Sequence, residues 1–130
     1  MRLLLDTHAF LWYITNNPKL PRYACDAIRD KSNEAFLSVV SVWEALIKYR
    51  IGKLPLPAPA DEYIENRRSA HGIADLILDS GAVSHLLSLP ELHRDPFDRM
   101  LICQALQHEL TIVTNDEMFR RYPVPVLAPA

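Results

Sequence analysis

Four carboxylates stand where a folded sheet could gather them: Asp6, Glu44, Asp98 and Asp116. Asp6 directly follows the apolar run LLL, Glu44 lies in the first turn of the helical stretch after AFLSVV, Asp98 opens a helix within HRDPFDRM, and Asp116 comes two residues after LTIVT. Carboxylates at close range repel one another, so four on one rim are tolerable at neutral pH when divalent cations neutralise them. Oxygen ligation alone suits a hard ion. Mg²⁺ or Mn²⁺ fits this inventory better than Zn²⁺, because no histidine pair or cysteine set is spaced to compete. Ions held in this way can activate water and stabilise the leaving oxygen in phosphodiester hydrolysis.

Each acid also has a plain structural reading. Asp6 and Asp116 are suited to cap the helices that follow them, Glu44 could be an exposed i, i+4 partner of Lys48, and Asp98 could be a favourable charge in a first helical turn. What favours a site is convergence, and convergence depends on the elements between the acids. Arg2 to Leu5 reads as a short buried strand, running at once into a helix over THAFLWYI, Thr7 to Ile14. After the turn NNPKLP comes a helix over Arg22 to Asp30, a strand over Ala35 to Val40, and a helix from an N-cap at Ser41 to a stop at Gly52. The proline-rich LPLPAPA leads to a helix over Asp61 to Ala70, a strand over Ile73 to Leu78 and a short helix over Ser80 to Ser88. The strongest helix spans Pro96 to Glu109, the next strand Leu110 to Thr114, and a last edge strand is expected over Val124 to Leu127 between prolines.

Strands alternating with helices, and strands rich in Leu, Ile and Val, predict a parallel sheet covered on both faces. Right-handed crossovers then bring three strand ends and one helix start towards a common rim, where ligands of such sheets bind.

Composition allows one domain over residues 1–130: 49% of residues are hydrophobic and 23% charged, which argues against disorder. Cys25 and Cys103 lie in apolar surroundings without metal or CxxC spacing and read as reduced core residues of an intracellular protein. Asp6 arrives too early for a signal peptide or a membrane span, so a soluble, cytoplasmic protein without membrane association is expected. A net charge of −2 is a poor match for nucleic acid, but with the four acids counted out as metal-bound the rest of the chain carries +2. Lys48, Arg50 and Lys53 follow Glu44, and Arg94 and Arg99 flank the DPFD acids, so these bases are candidates to meet nucleic-acid phosphates or, equally, ordinary solvated surface. His8 and His93, each without ligand-spaced partners, are assigned no metal. Trp12, Tyr13 and Trp43 are expected in the core; any left exposed would suit an amphipathic partner helix or a homodimer contact.

LLLDTHAFLW, SVVSVWEALIKYRIGKLPL, HRDPFDRMLICQAL and LTIVTND together resemble the four motif blocks of PIN-domain ribonucleases, in particular the VapC-type toxins of bacterial toxin–antitoxin pairs. The blocks come in family order and span Leu3 to Asp116. The resemblance implies a three-layer α/β/α fold around a parallel sheet of four to five strands, a divalent-metal endoribonuclease that leaves a 5′-phosphate and a 3′-hydroxyl, and a cognate VapB-type antitoxin that blocks the site. Carried over by position, Asp6, Glu44, Asp98 and Asp116 match the family acids, with Asp6, Asp98 and Asp116 as metal ligands and Glu44 orienting or deprotonating water. Thr114 matches a small hydroxyl residue before the last acid, and Asp95 matches the DPFDR form of one branch, as a helix cap first and a site contact second. RNA as substrate, an antitoxin and a second copy of the chain are the expected partners. Two other readings remain: a PIN-fold interaction module without catalysis, and a phosphoryl-transfer protein with Asp6 as nucleophile. LLLDTHAF lacks a second aspartate two residues on, which counts against the latter.

Overall fold

The backbone of β1 (Arg2–Leu5) is buried along Leu3, Leu4 and Leu5, each with no exposed surface. A strand without polar alternation requires cover on both faces, and the computed structural model, which describes residues 1–129, supplies it. Leu3 and Leu5 point into one core with Phe10, Leu37, Ile64 and Val113, while Leu4 points into the other with Phe36, Leu101, Ile102 and Phe119. Removing a leucine of this kind from water contributes about 2 kcal/mol. The result is a three-layer α/β/α arrangement around a four-stranded parallel sheet of order β3-β2-β1-β4.

The remaining elements are α1 (Thr7–Ile14), α2 (Arg22–Arg29), β2 (Glu34–Ser38), α3 (Val39–Arg50), α4 (Ala60–Ala70), β3 (Ala74–Leu76), α5 (Ser80–Ser84), α6 (Pro96–His108) and β4 (Thr111–Val113). Short 3₁₀ turns cover His85–Leu87 and Glu117–Arg121. No helix among the described residues is long and apolar enough to cross a membrane. The chain steps outwards from β1 through β2 to β3 and then returns past β1 to β4. That reversal leaves a switch point between the carboxyl ends of β1 and β4, where parallel sheets open a crevice.

Several element boundaries differ from the sequence expectation: the helix expected over Ser80 to Ser88 ends at Ser84 and tightens into a 3₁₀ turn, and three others have a specific cause. The second strand ends at Ser38, not Val40, because the Ser38 hydroxyl caps α3 through Val40 N (3.0 Å) and donates to Gln104 Oε1 of α6 (2.5 Å). Ser41, expected as the cap, is buried inside the helix, and Glu44 moves from its first turn to its second. The third strand stops at Leu76, and the carbonyl of Ile77 instead accepts the Gln104 amide at 3.2 Å. The expected edge strand over Val124 to Leu127 shrinks to one parallel bridge between Ile112 and Val126. Pro123 and Pro125 have no N–H to extend it.

α6 starts as expected, with Pro96 at its first position and Asp95 as N-cap. It ends through Glu109 in the left-handed conformation, φ 56°, which turns the chain directly into Leu110 and β4. Trp43 departs from its expected place in the core. On α3 the buried positions are Val40, Ser41, Glu44 and Ala45, so Trp43 falls outside that stripe, is 58% exposed and packs edge-on against Phe97. Trp12 and Tyr13 are half-buried against the first core, Cys103 is fully buried and Cys25 partly so, both as free thiols.

Candidate active site

The sheet's switch point determines where the first and last acids meet. Asp6 follows β1 and caps α1, its Oδ1 accepting from Ala9 N at 2.8 Å. Its Oδ2 accepts from the Thr114 hydroxyl at 2.5 Å, across from the adjacent end of β4. The same Thr114 oxygen accepts from Asp116 N at 3.0 Å, so one hydroxyl ties the two acid-bearing strand ends together. Asp6 is 6% exposed, and burial pushes its pKa up, against the pull of the Thr114 and Ala9 hydrogen bonds and of His8, with the Glu44 charge adding to the rise.

Glu44 reaches the same place from α3 and is 3% exposed. Its Oε1 accepts from the Thr7 hydroxyl at 2.6 Å and its Oε2 from Lys48 Nζ at 2.7 Å. The i, i+4 ion pair read from the sequence is therefore present, but around a buried carboxylate and not an exposed one. Glu44 raises the pKa of Lys48, first through this hydrogen bond and then through its charge, and Asp95 and Asp98 add to the rise against the opposing effect of desolvation.

Asp98 carries the clearest electrostatic mark in the molecule. It sits in the first turn of α6, its N–H donating to the Oδ1 of Asp95, with its side chain 16% exposed. Burial foremost, then the charges of Asp95, Glu44, Asp6 and Asp116 in that order, push its pKa from an ordinary carboxylate value to about 8. A helix N-terminus alone would favour the charged form. Burial and the neighbouring carboxylates outweigh it, and Glu44, Asp6 and Asp116 each lie within electrostatic reach of Asp98. Asp95 caps the helix through Phe97 N (2.8 Å) and also contributes charge to the group.

Asp116 caps the turn after β4 by accepting from Met118 N at 2.9 Å on Oδ1, which leaves Oδ2 turned towards Asp98 and His93. His93 Nε2 lies 3.0 Å from Asp98 Oδ2 and 3.4 Å from Asp116 Oδ2. Ligand atoms of His93, Asp98 and Asp116 all lie within 4.8 Å of one another, a spacing that a single divalent cation could bridge. The donor set is oxygen-rich, and burial together with the neighbouring carboxylates disfavours the charge on Asp98 until a cation offsets it, so the residues present fit a hard cation. Asp6 and Glu44 border this cluster with both oxygens of each already engaged.

The histidine was not assigned from the sequence, where it stands alone. Its signal was the spacing to Asp95 and Asp98, meaningful only once the Asp95 N–H donates to its Nδ1 at 3.3 Å and holds the ring beside the helix start. The basic residues divide. Arg50, Lys53 and Arg94 are exposed, and Lys48 is committed to Glu44. Arg99 lines a different feature, an apolar groove with Val40, Trp43, Leu78, Leu86 and Phe97, and its buried Nε has no partner among the described residues.

The PIN domain sequence profile matches residues 3–125. Over 72 residues the chain is 38% identical to ribonuclease VapC16 of Mycobacterium tuberculosis, a match covering 50% of this chain and 51% of that protein. Ribonuclease VapC22 of the same organism is 24% identical over 127 residues, 95% of each. Among solved structures, VapBC2 from Rickettsia felis, crystallised with a promoter DNA fragment, superposes with a TM-score of 0.70 at 18% identity over 98% of both chains. DNA-bound VapBC from Salmonella typhimurium gives 0.66 at 21% identity, covering 98% of this chain and 97% of that one. From its first strand to the loop beyond its last, the chain belongs to the PIN-domain family.

Proposed function

We propose that the protein is a divalent-metal-dependent endoribonuclease, the toxin of a toxin–antitoxin pair, acting in the cytoplasm with Mg²⁺ or Mn²⁺. One observation carries this reading: a carboxyl at a helix start, pushed to about 8 by burial and by four neighbouring acids, is a cost that cation binding would repay. Both curated relatives are named ribonucleases, and the neighbouring solved structures are complexes of such a toxin with its antitoxin.

A bound divalent cation would polarise the RNA phosphodiester and lower the pKa of an attacking water. Asp98 and Asp116 would hold that cation through their Oδ2 atoms, with Asp6, pinned by Thr114, bordering the site. Thr7 fixes one oxygen of Glu44, and Lys48 covers the other. A substrate phosphate that draws Lys48 away leaves Glu44 Oε2 free to orient the water and accept its proton. Exposed Arg50, Lys53 and Arg94 hold the RNA backbone around the rim. The apolar groove edged by Trp43, Leu78 and Phe97 receives an amphipathic segment of the antitoxin, and a second copy of the chain completes a homodimer.

The test is cleavage of single-stranded RNA by purified protein with Mn²⁺, with EDTA, and by Asp6→Asn. Cleavage that needs the metal and disappears in a folded Asp6→Asn variant supports the nuclease. The same groove favours a second reading, an interaction module without catalysis, and that module would bind partner protein but leave RNA intact.

A further inference from the structure

His93 stands at the centre of the acid cluster with its proton on a determinable nitrogen. Its Nδ1 lies 3.3 Å from Asp95 N and accepts that N–H, so in the neutral ring the proton sits on Nε2. A protonated nitrogen offers no lone pair to a cation. Nε2 lies 3.0 Å from Asp98 Oδ2 and 3.4 Å from Asp116 Oδ2, within donor reach of both oxygens and aligned on neither alone.

We infer that His93 is a positioning residue which, by donating Nε2–H between Asp98 Oδ2 and Asp116 Oδ2, holds the two carboxylates at metal-binding separation, and that it is not itself a ligand. The inference rests on the divalent-metal reading above.

The ring is placed by parts of the chain that also place Asp116. The backbone N–H groups of Leu92 and His93 both donate to Tyr122 Oη, at 3.1 and 2.7 Å, and the ring packs edge-on against Phe119 with centroids 6.3 Å apart. Phe119 and Tyr122 are buried and belong to, or directly follow, the 3₁₀ turn that Asp116 caps. The loop before α6 and the turn after β4 are thus clamped together, and the imidazole bridges the acid of one to the acid of the other. Each bridged oxygen has two lone pairs, so each can accept the N–H and still offer a pair to the cation. Asp116 Oδ1 is committed to Met118 N, which makes Oδ2 the oxygen that this donor must orient.

The experiment is calorimetric titration of the metal-free full chain with Mn²⁺, Ni²⁺ and Mg²⁺, in wild type, His93→Phe and His93→Gln. Phe fills the ring's space and keeps the contact with Phe119 but has no donor; the Gln amide nitrogen can reach the position of Nε2. Loss of an outer hydrogen bond of this kind weakens metal binding by about 10-fold to 100-fold. The expected result is that weakening in His93→Phe for all three ions alike, with most of the affinity restored in His93→Gln. A loss in His93→Phe that falls much harder on Ni²⁺ than on Mg²⁺, without restoration by Gln, would mark His93 as a nitrogen ligand and overturn the inference. Unchanged Mn²⁺ affinity in a folded His93→Phe protein would overturn it too while leaving the nuclease reading intact. Wild-type protein that binds none of the three ions would instead overturn the proposed function, and the inference with it.

Discussion

Two aspartates at helix starts, each beside an imidazole, have opposite electrostatic fates. Asp79 caps α5 by accepting from Ala82 N at 2.7 Å, and its other oxygen meets His108 Nε2 at 2.5 Å. The Ala82 hydrogen bond, followed by the His108 bond and charge, holds its carboxyl below the usual range against a smaller effect of desolvation. Asp98, in the first turn of α6 with His93 at 3.0 Å, is pushed up to about 8. A helix terminus and a histidine are present in both places. Burial and the company of Asp95, Glu44, Asp6 and Asp116 are present in one, and they decide the sign. A structural cap spends its charge on the helix; the acid at the sheet's switch point keeps a proton whose place a cation could take.

The sharpest contrast comes from removing each charge. Asp98→Asn should lower metal-dependent RNA cleavage by at least about 100-fold, in line with loss of a group that acts through the metal, and leave the metal-free protein at least as stable as wild type. Asp79→Ala should keep full cleavage and lose thermal stability, because the cap on Ala82 N and the contact with His108 are both removed. Gel cleavage assays with thermal melts of both variants check the pair, and equal effects on cleavage would erase the distinction.

Stability against pH separates the two acids next. An unfolded aspartate titrates near 3.9, whereas folded Asp98 titrates at about 8. Between those values the folded chain keeps a proton that the unfolded chain has released, so this group makes metal-free stability fall as pH rises through the window and level off above it. Asp79, with its pKa lowered, acts in the opposite sense: its contribution is present above the unfolded value and is lost as pH falls through the folded one. Melts of metal-free protein from about pH 5 to pH 9 should slope downwards in wild type and flatten in Asp98→Asn. A slope unchanged by Asp98→Asn would assign the raised proton to another group.

Smaller effects test the frame around the acids. Thr114→Val removes the hydroxyl that joins Asp6 to Asp116 N and should weaken Mn²⁺ binding by about 10-fold without unfolding the chain. Calorimetry reads that loss directly, and undiminished affinity would make Thr114 a fold contact only. Smallest of all, Arg94→Gln should reduce the salt dependence of RNA binding by about one phosphate contact while leaving metal affinity alone.

Much of this arrangement is legible in the sequence because it depends on local chemistry. LLL followed by Asp6, and Asp95-Pro96 followed by Asp98, announce a buried strand and a capped helix, and both form within a residue of the expected bounds. Parallel order follows from alternation of strands and helices, and with it the gathering of acids at one rim. What escapes the sequence is long-range. Ser38 takes the cap from Ser41 because Gln104, on a helix far along the chain, receives its hydroxyl. Trp43 lies outside because α3 turns the stripe of Val40, Ser41, Glu44 and Ala45 inwards. His93 joins Asp98 and Asp116 only because Tyr122 and Phe119 pull its loop against the turn after β4. Residue types show which groups could bind a cation, but the donor that spaces them is set by tertiary packing that no local pattern encodes.

A crystal of the protein soaked in Mn²⁺, with anomalous scattering used to locate the ion, puts the whole arrangement to one decision. An ion peak about 2.1 Å from the Oδ2 atoms of Asp98 and Asp116, on the side facing Asp6, is the predicted result. No peak at the switch point, or a peak on Asp79 and His108 instead, would contradict it.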